Sequence, residues 1–385
     1  MLGKGMARRL AAVAMATVSL TGLAGCGTAP VTGVAGAPAP DLDGQVRRYY
    51  LAADPVEWNY APAGTNLITG KPFGEVENVF VGVGPDRIGP VYTKSVFQEY
   101  TDATFTSLRP RAPEWEHLGM LGPVIHAEVG DTVEVVLRNN TPFPVSLHPH
   151  GLRYAKDAEG SPYADGTSGA DKADDEVPQG GTHTYMWEVP ERAGPTDAGH
   201  DPSSVMWMYH SHVDEVADVY AGLMGPIVVT RKGMANPDGT PKDVDRELVV
   251  NFTVMDENSS PWLVTNIDRA GQPGTVDPED EGFIESNLMH AINGFVYGNL
   301  PGLTMQEGER VRWYLMGMGT EVDLHTPHWH GNTATAAGMR TDVVNLLPAS
   351  MMVADMQPDA AGKWLFHCHV ADHITAGMQA LYEVQ

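Results

Sequence analysis

Apolar and polar residues alternate along several short stretches of this chain, which is the pattern of half-buried β-strands. Clear examples are residues 131–138, 182–189, 247–254 and 310–315, and glycine, proline and asparagine punctuate the segments around them. Long stretches with the 3.6-residue period of an amphipathic helix are hard to find. The pattern predicts an all-β protein that contains two Greek-key sandwiches.

An internal repeat divides the chain into two halves. A Gly-containing turn precedes a His-x-His-Gly motif in each half: Glu128-Val-Gly130 before His148-Pro-His150-Gly151, and Gln306-Glu-Gly308 before His328-Trp-His330-Gly331. Each half then closes on a second His-x-His pair followed by Ala-Gly. We therefore predict two domains of the same fold, residues 46–235 and residues 236–385.

The N-terminal segment has the features of an export signal. Lys4, Arg8 and Arg9 precede an apolar run that is too short to span a bilayer stably. The run ends in Leu-Ala-Gly-Cys26, which resembles a bacterial lipobox. We predict a lipoprotein-type signal peptide over residues 1–25, lipidation of Cys26, and a flexible tether over residues 26–45. The alternative is an ordinary signal peptide with an incidental cysteine. Either prediction implies an exported protein, and a lipid anchor would hold it at the cell envelope as its only membrane contact.

Charge and cysteine content narrow the classes of partner. The formal net charge is −25, which repels nucleic acid and attracts cations. The same charge also suits simple solubility, so it supports a metal-ion substrate without requiring one. The chain has two cysteines, Cys26 and Cys368. If Cys26 carries a lipid, no disulfide remains to be formed, and Cys368 is the single thiol of the folded part.

Ten of the fifteen histidines lie in four short clusters. The clusters are His148-Pro-His150, His210-Ser-His212, His325-Thr-Pro-His328-Trp-His330 and His367-Cys368-His369 with His373 close behind. Residues i and i+2 of a strand point to the same face, so each His-x-His pair can offer two imidazoles to one metal site. One such pair is a common accident, but four pairs, one interrupted by the only thiol of the folded part, indicate metal binding.

The last cluster predicts a particular metal. Cys368 with nearby imidazoles and the thioether of Met378 offers the soft His₂Cys-plus-Met ligand set of a blue, electron-transferring copper. Zinc is the competing metal, but a structural zinc site uses four ligands and usually several cysteines. Here the twelve candidate ligands include a single thiolate, which favours copper.

These four motifs resemble those of the multicopper oxidases, residue by residue. The resemblance implies cupredoxin-like sandwiches and four coppers per active unit: a type 1 copper, a type 2 copper and a type 3 pair. The implied ligands are His325, Cys368, His373 and Met378 for type 1, His148 and His328 for type 2, and His150, His210, His212, His330, His367 and His369 for type 3. The implied activity is one-electron oxidation of a reductant coupled to four-electron reduction of dioxygen to water.

The two halves differ at the predicted type 1 position. Ser211 occupies the place of Cys368, so the first domain is expected to hold type 2 and type 3 ligands without a type 1 copper. The trinuclear cluster needs eight histidines, and each half supplies four. The cluster must therefore lie between a first and a second domain, either within one chain or between neighbouring chains. By likeness to two-domain members of the family, we favour a homotrimeric ring with inter-subunit clusters.

Further stretches, such as Glu285-Ser-Asn-Leu-Met-His290, resemble the ceruloplasmin and hephaestin branch of the family. That likeness implies a ferroxidase, with ferrous iron held beside the type 1 copper by Glu285, His290, Asp372 and, from a neighbouring second domain, Glu321. Each of these side chains also has an ordinary structural explanation. Tyr154, four residues after His150, matches a tyrosine near the trinuclear cluster of small laccases, where it could supply an electron, and a packed aromatic is the alternative.

Three other functions remain as alternatives. A laccase-like oxidase of phenols or aromatic amines would use the same copper set with an organic substrate. A copper nitrite reductase carries its blue copper in the first domain and lacks a full set of type 3 histidines, so Ser211 and the complete set argue against it. A non-catalytic copper carrier would not need a trinuclear ligand set.

Overall fold

A computed structural model gives the fold of residues 42–196, 201–270 and 276–385. The predicted signal peptide, the lipidated Cys26 and most of the tether lie outside these ranges. In the part of the chain that the structure describes, no helix is long and apolar enough to cross a membrane.

The strands before residue 231 form two sheets. They are β1 (Val46–Asn59), β2 (Val91–Glu99), β3 (Ile125–Glu128), β4 (Thr132–Asn139), β5 (His148–Pro149), β6 (Arg153–Tyr154), β7 (Thr182–Glu188), β8 (Ser204–His210) and β9 (Met224–Thr230). One sheet has the order β2-β1-β4-β7-β6 and the other the order β3-β9-β8-β5. Their inward side chains form a buried core that includes Leu137, Tyr185 and Trp187.

The strands after residue 245 form two more sheets. They are β10 (Arg246–Asp256), β11 (Leu288–Ile292), β12 (Thr304–Met305), β13 (Val311–Gly317), β14 (Pro327–Trp329), β15 (Ala334–Ala336), β16 (Met339–Thr341), β17 (Ser350–Met356), β18 (Gly362–Cys368) and β19 (Gln379–Val384). The sheet orders are β11-β10-β13-β17-β15-β16 and β12-β19-β18-β14. Their core includes Trp313, Trp329 and Phe366.

The two sandwiches repeat one topology. The parallel pair β1 and β4 corresponds to β10 and β13, and the parallel pair β3 and β9 corresponds to β12 and β19. In both halves the turn around Gly130 or Gly308 connects the two sheets, as the sequence repeat indicated. The predicted all-β class with two sandwiches is confirmed. The boundary at residues 235 and 236 stays a prediction, although no sheet of the described residues takes strands from both sides of it. Residues 40–385 together form one compact unit.

The strands β10 and β13 depart from simple alternation because both of their faces are buried. On β10, Leu248 and Val250 point into the core of the second sandwich, whereas Val249 points into a third core. The third core also takes Met208 of β8 and Met224 of β9, so it packs the first sandwich against the second. A strand covered on both faces can be apolar throughout, which explains why almost every residue of β10 and all of β13 are buried.

The helices of the described residues are short. They are α1 (Asn78–Val81), α2 (Glu215–Ala221), α3 (Leu263–Arg269), α4 (Glu281–Ser286) and α5 (Ala371–Thr375), with 3₁₀ turns at Pro113–Leu118, Lys156–Ala158, Gly169–Lys172 and Glu191–Ala193. Two of them lie in corresponding places, since α2 follows the His210-Ser-His212 pair and α5 follows the His367-Cys-His369 pair. Asp214 caps α2 by accepting a hydrogen bond from the Ala217 N–H.

Candidate metal centres

The second sandwich brings one thiol and two imidazoles together in its interior. The Cys368 Sγ lies 3.5 Å from the His373 Nδ1 and 3.9 Å from the His325 Nδ1, and the two Nδ1 atoms are 3.2 Å apart. All three side chains are buried. Three soft or borderline donors that converge on one small volume could hold a single metal ion, and their chemistry suits copper.

Backbone hydrogen bonds fix this arrangement. Cys368 ends β18, and its N–H donates to the carbonyl of Met378, whose own N–H donates to the carbonyl of His373. Helix α5 thus makes a tight loop that returns His373 and the fully buried Met378 to the cysteine. The Thr326 N–H also donates to the Cys368 sulfur, at 3.4 Å.

The electrostatics of the cluster favour a thiolate. Burial by itself raises the pKa of the Cys368 thiol, but hydrogen bonds with His325 and His373 and from the backbone N–H groups of Thr326 and Val370 outweigh it and lower that pKa to about 6. Because the thiolate is the metal-binding form, Cys368 is prepared for a metal at neutral pH. One thiolate, two imidazoles and a thioether are a donor set that fits copper.

The first sandwich holds four imidazoles side by side. Ring centroids of His148, His150, His210 and His212 lie 5.1–5.7 Å from their neighbours. The pairing of β5 with β8 places His148 opposite His210, and the Nε2 atoms of His150 and His210 are 3.1 Å apart. Two ring nitrogens at that distance need either an N–H on one that donates to the lone pair of the other, or a metal ion that both lone pairs bind.

The second sandwich holds the matching four. Ring centroids of His328, His330, His367 and His369 lie 4.8–5.5 Å from their neighbours. The pairing of β14 with β18 places His328 opposite His367, and the Nε2 atoms of His330 and His367 are again 3.1 Å apart. The ligand atoms of His328, His330 and His367 all lie within 4.8 Å of one another.

Backbone carbonyls select the tautomers of corresponding histidines in the same way. His148 donates from Nδ1 to the Glu159 carbonyl at 2.7 Å, and His328 donates from Nδ1 to the Asp342 carbonyl at 2.8 Å. A proton on Nδ1 leaves the lone pair on Nε2, which is then available to a metal.

The second histidine pair of each half repeats this device. His210 donates from Nδ1 to the Ser211 carbonyl, and His367 donates from Nδ1 to the Cys368 carbonyl, at 3.0 and 2.7 Å. Burial lowers the pKa of His150 to about 4 and that of His210 to about 3, and it also lowers the pKa values of His330 and His367. These four imidazoles are therefore neutral at pH 7, as metal ligands must be.

A glycine and a tryptophan support each histidine cluster. Gly151 and Gly331 have φ values of +73° and +75°, a conformation that costs glycine little. A Cβ on Gly151 would lie 2.2 Å from the Trp207 ring, and a Cβ on Gly331 would lie 2.5 Å from the Trp364 ring. Each His-x-His strand can therefore lie directly on a tryptophan only because glycine follows it.

The two histidine clusters are separate from each other in the described part of the chain. Among the described residues, no imidazole of the first cluster makes a ring contact with an imidazole of the second. The second cluster is open at the surface: His330 and His369 are exposed, and a cavity of about 330 Å³ borders His328 and His330.

The position that corresponds to Cys368 in the first sandwich has different chemistry. The Ser211 hydroxyl donates to the Asp218 carboxylate at 2.6 Å, and the N–H groups of Val213 and Asp214 point to the same oxygen. Burial raises the pKa of Asp218 to about 6. A hydroxyl and a carboxylate therefore stand where the second sandwich has its buried thiol and an imidazole.

One of the four predicted iron ligands lies directly beside the thiol cluster. The ring of His290 is 5.2 Å from the ring of His373, and its Nδ1 donates to the Leu288 carbonyl at 2.9 Å, so its Nε2 lone pair is available. Glu285 on α4, Asp372 on α5 and Glu321 are exposed. Within the described ranges, these three carboxylates do not join His290 in a group of ligand atoms within 4.8 Å.

Two further residues contact histidines of these centres, one in each sandwich. The ring of Tyr154 lies 5.8 Å from the ring of His148, and burial raises the pKa of its hydroxyl. Asp323, which the sequence interpretation passed over, is fully buried, and its carboxylate lies 3.0 Å from the Nε2 of His325. A carboxylate two residues before a metal-binding histidine was the available signal.

Sequence comparisons agree on one family. Models of the multicopper oxidase family match residues 118–233 and 272–385. Human hephaestin is 47% identical over 348 residues, which are 89% of this chain and 30% of that protein. Rat ceruloplasmin is 45% identical over 354 residues, 90% of this chain and 33% of that protein. The chain thus spans about a third of the length of these relatives.

Solved structures show the same fold at low sequence identity. A multicopper oxidase named mgLAC has a TM-score of 0.55 and is 19% identical, with 89% of this chain and 87% of that chain covered. A blue copper oxidase from Nitrosomonas europaea has a TM-score of 0.53 and is 19% identical, with 89% and 86% covered.

Proposed function

This chain belongs to the multicopper oxidase family, and from that premise we propose that it is a copper-dependent ferroxidase with dioxygen as the electron acceptor. Bound copper supplies the one-electron chemistry that couples oxidation of ferrous iron to reduction of dioxygen to water. The residues proposed to hold it are His325, Cys368, His373 and Met378 for type 1, His148 and His328 for type 2, and His150, His210, His212, His330, His367 and His369 for type 3.

The segment His367-Cys368-His369 links the two kinds of site through covalent bonds. Side chains alternate along β18, so the sulfur of Cys368 points into the buried core while His367 joins the histidine cluster of the second sandwich. The backbone between them is a short route for electrons. The Cys368 carbonyl also accepts the Nδ1–H of His367, which adds a second connection.

The observation that carries the iron assignment is the contact between His290 and His373. The tautomer of His290 leaves an Nε2 lone pair that can bind a metal ion. The centroid of the His290 ring lies 5.2 Å from that of His373, a proposed type 1 ligand. Asp372 is adjacent to His373 in the chain, and Glu285 lies five residues before His290. Imidazole with carboxylates suits iron, and anionic ligands favour the ferric product. The net charge of −25 also attracts cations.

The separate half-sites support a homotrimer. If the four histidines of the first sandwich meet the four of the second sandwich in a neighbouring copy, a closed ring of three chains forms three complete clusters. Glu321 is exposed, so a neighbouring chain could reach it. In the ring it would act as the iron ligand of a neighbouring subunit.

Tyr154 is proposed to act as an electron donor near the cluster, on the basis of its contact with His148. The N-terminal segment is proposed to export the chain and anchor it through a lipid on Cys26.

Dioxygen consumption tests the substrate. Initial rates are measured with ferrous iron and with a phenolic donor for the wild type, His290→Ala and Glu285→Ala. His183→Ala is the control because His183 lies on β7, where its ring contacts the Asp157 carbonyl and the Tyr185 ring and none of the proposed iron ligands. We expect the two site variants to lose iron turnover at least tenfold and to keep phenol turnover. Iron turnover equal to that of the control in both site variants would rule out this iron site.

A further inference from the structure

Asp323 has an unusual environment for an acidic residue. Its side chain has no solvent exposure, and in the described part of the chain its only ion-pair partner is the imidazole of His325. A buried carboxylate without a lysine or arginine is costly unless hydrogen bonds satisfy its oxygens. Asp323 therefore needs a reason for its position.

The loop after β13 is folded around this carboxylate. One oxygen accepts the Val254 N–H at 2.7 Å, and the other accepts the Thr320 N–H at 2.8 Å. A Cβ on Gly319, whose φ is +117°, would lie 2.0 Å from the second oxygen. Glycine at that position leaves the space that the carboxylate occupies, so the local backbone and the side chain fit only together.

The carboxylate also determines which nitrogen of His325 carries the proton. The oxygen that accepts from Val254 lies 3.0 Å from the Nε2 of His325. A carboxylate accepts hydrogen bonds, so in the neutral, metal-binding form of the ring the proton belongs on Nε2 and the lone pair on Nδ1. A hydrogen bond from Nδ1 to the Cys368 sulfur exists only while the ring is doubly protonated and no metal is bound. The Nδ1 is the atom that faces Cys368 and His373. The backbone of His325 is held separately, through two hydrogen bonds with Leu346.

The second imidazole of the centre lacks such a partner. His373 faces the ring of His290, and among the residues that the structure describes no carboxylate lies within 4.0 Å of it. Among the described residues, Asp323 is therefore the buried carboxylate that sits directly behind a ligand of this centre, whereas Asp372, next to His373, is exposed.

We infer that Asp323 is a positioning residue for the type 1 ligand His325, and that its buried negative charge lowers the reduction potential of the metal held there. This inference rests on the proposed copper function. Asp323 holds the ring with Nδ1 toward the metal, and its charge stabilises the cupric form more than the cuprous form. With copper bound, electron transfer from this site to the histidine cluster would be favoured as a result.

Redox titration of the blue absorption band, with inert mediators and no iron, tests the charge. Asp323→Asn keeps an oxygen for His325 but removes the charge. It should shift the one-electron equilibrium about tenfold toward the reduced form, which is about 59 mV, with the blue band retained. Glu383→Gln is the matched control, since it removes a partly exposed carboxylate of the same sandwich, one that pairs with Lys363 on the surface. A potential equal to the control, or lower, would overturn the inference.

Chelator competition tests the positioning. Asp323→Ala removes the acceptor, so His325 can take either tautomer, and type 1 copper should be lost about 10–100-fold more readily. Copper retention equal to that of Glu383→Gln would contradict the positioning role. A further measurement needs no substitution: in the cuprous wild type labelled with ¹⁵N-histidine, a His325 Nε2–H resonance should be protected from exchange with D₂O. Its absence would also overturn the inference. None of these three measurements depends on iron oxidation. The role of Asp323 and the ferroxidase proposal can therefore be refuted separately.

Discussion

The separation of the two histidine clusters predicts complementation between inactive variants. His150→Ala damages the cluster of the first sandwich, and His330→Ala damages the cluster of the second. The two residues are equivalent, because each has its Nε2 atom 3.1 Å from a partner histidine in its own half. Neither variant alone should assemble a working trinuclear site, since every site would contain one damaged half.

The ring geometry fixes the size of the recovery. In a ring of three chains, each site takes its first half from one chain and its second half from the next. Any ring that contains both variants then has one intact site among three. Random assembly from equal amounts makes three quarters of the rings mixed, so about one quarter of all sites should be intact.

Co-expression of the two variants with different affinity tags allows the mixed oligomers to be isolated by sequential capture. Their dioxygen consumption should be about one third of the wild-type rate, whereas each variant alone should be inactive. A His150→Ala/His330→Ala double variant co-expressed with itself is the control and should stay inactive. If the mixed oligomers are as inactive as the control, the cluster does not form between chains.

Three further substitutions test the fold and the site together. Cys368→Ser should abolish the blue absorption and oxidase activity, and retained colour would exclude Cys368 as the type 1 ligand. Lys94→Met leaves the Glu257 carboxylate buried without its cation and should lower the free energy of denaturant unfolding by about 3–5 kcal/mol. The double variant Lys94→Met/Glu257→Leu should recover most of that free energy. A double variant as unstable as the single variant would contradict the reasoning. Gly331→Ala should lose more stability than Gly338→Ala, and more copper from the histidine cluster of the second sandwich. Both glycines have positive φ, but only a Cβ on Gly331 would meet a tryptophan ring. Equal losses would refute this.

The sequence was sufficient for the fold class and for the contents of each histidine cluster. A two-residue period places both imidazoles of a His-x-His pair on one face, and this inference needs only local geometry. It could not show that His148 faces His210 or that His328 faces His367, because strand register is a long-range property. The contacts among the histidines appear only when the sheets are assembled.

Other features depend on how the chain packs, of which a local pattern such as Asp-x-His gives at most a hint. Asp323 escaped notice because its contact with His325 requires the chain to turn back at Gly319. Side chains along residues 247–254 alternate in direction as expected, but they do not alternate in polarity, because the third core, between the sandwiches, buries the outer face of β10. Whether the cluster forms within or between chains stayed open for the same reason, since it depends on how the sandwiches are placed.

The stoichiometry of the reaction tests the central claim most directly. Ferrous iron oxidised and dioxygen consumed are measured together on the copper-loaded protein, with a copper-stripped sample as the control. A complete site that accepts electrons singly and reduces dioxygen to water should oxidise four ferrous ions for each dioxygen, without accumulation of peroxide, and the stripped protein should be inactive. A ratio of two with peroxide released, or turnover that survives removal of copper, would contradict the account.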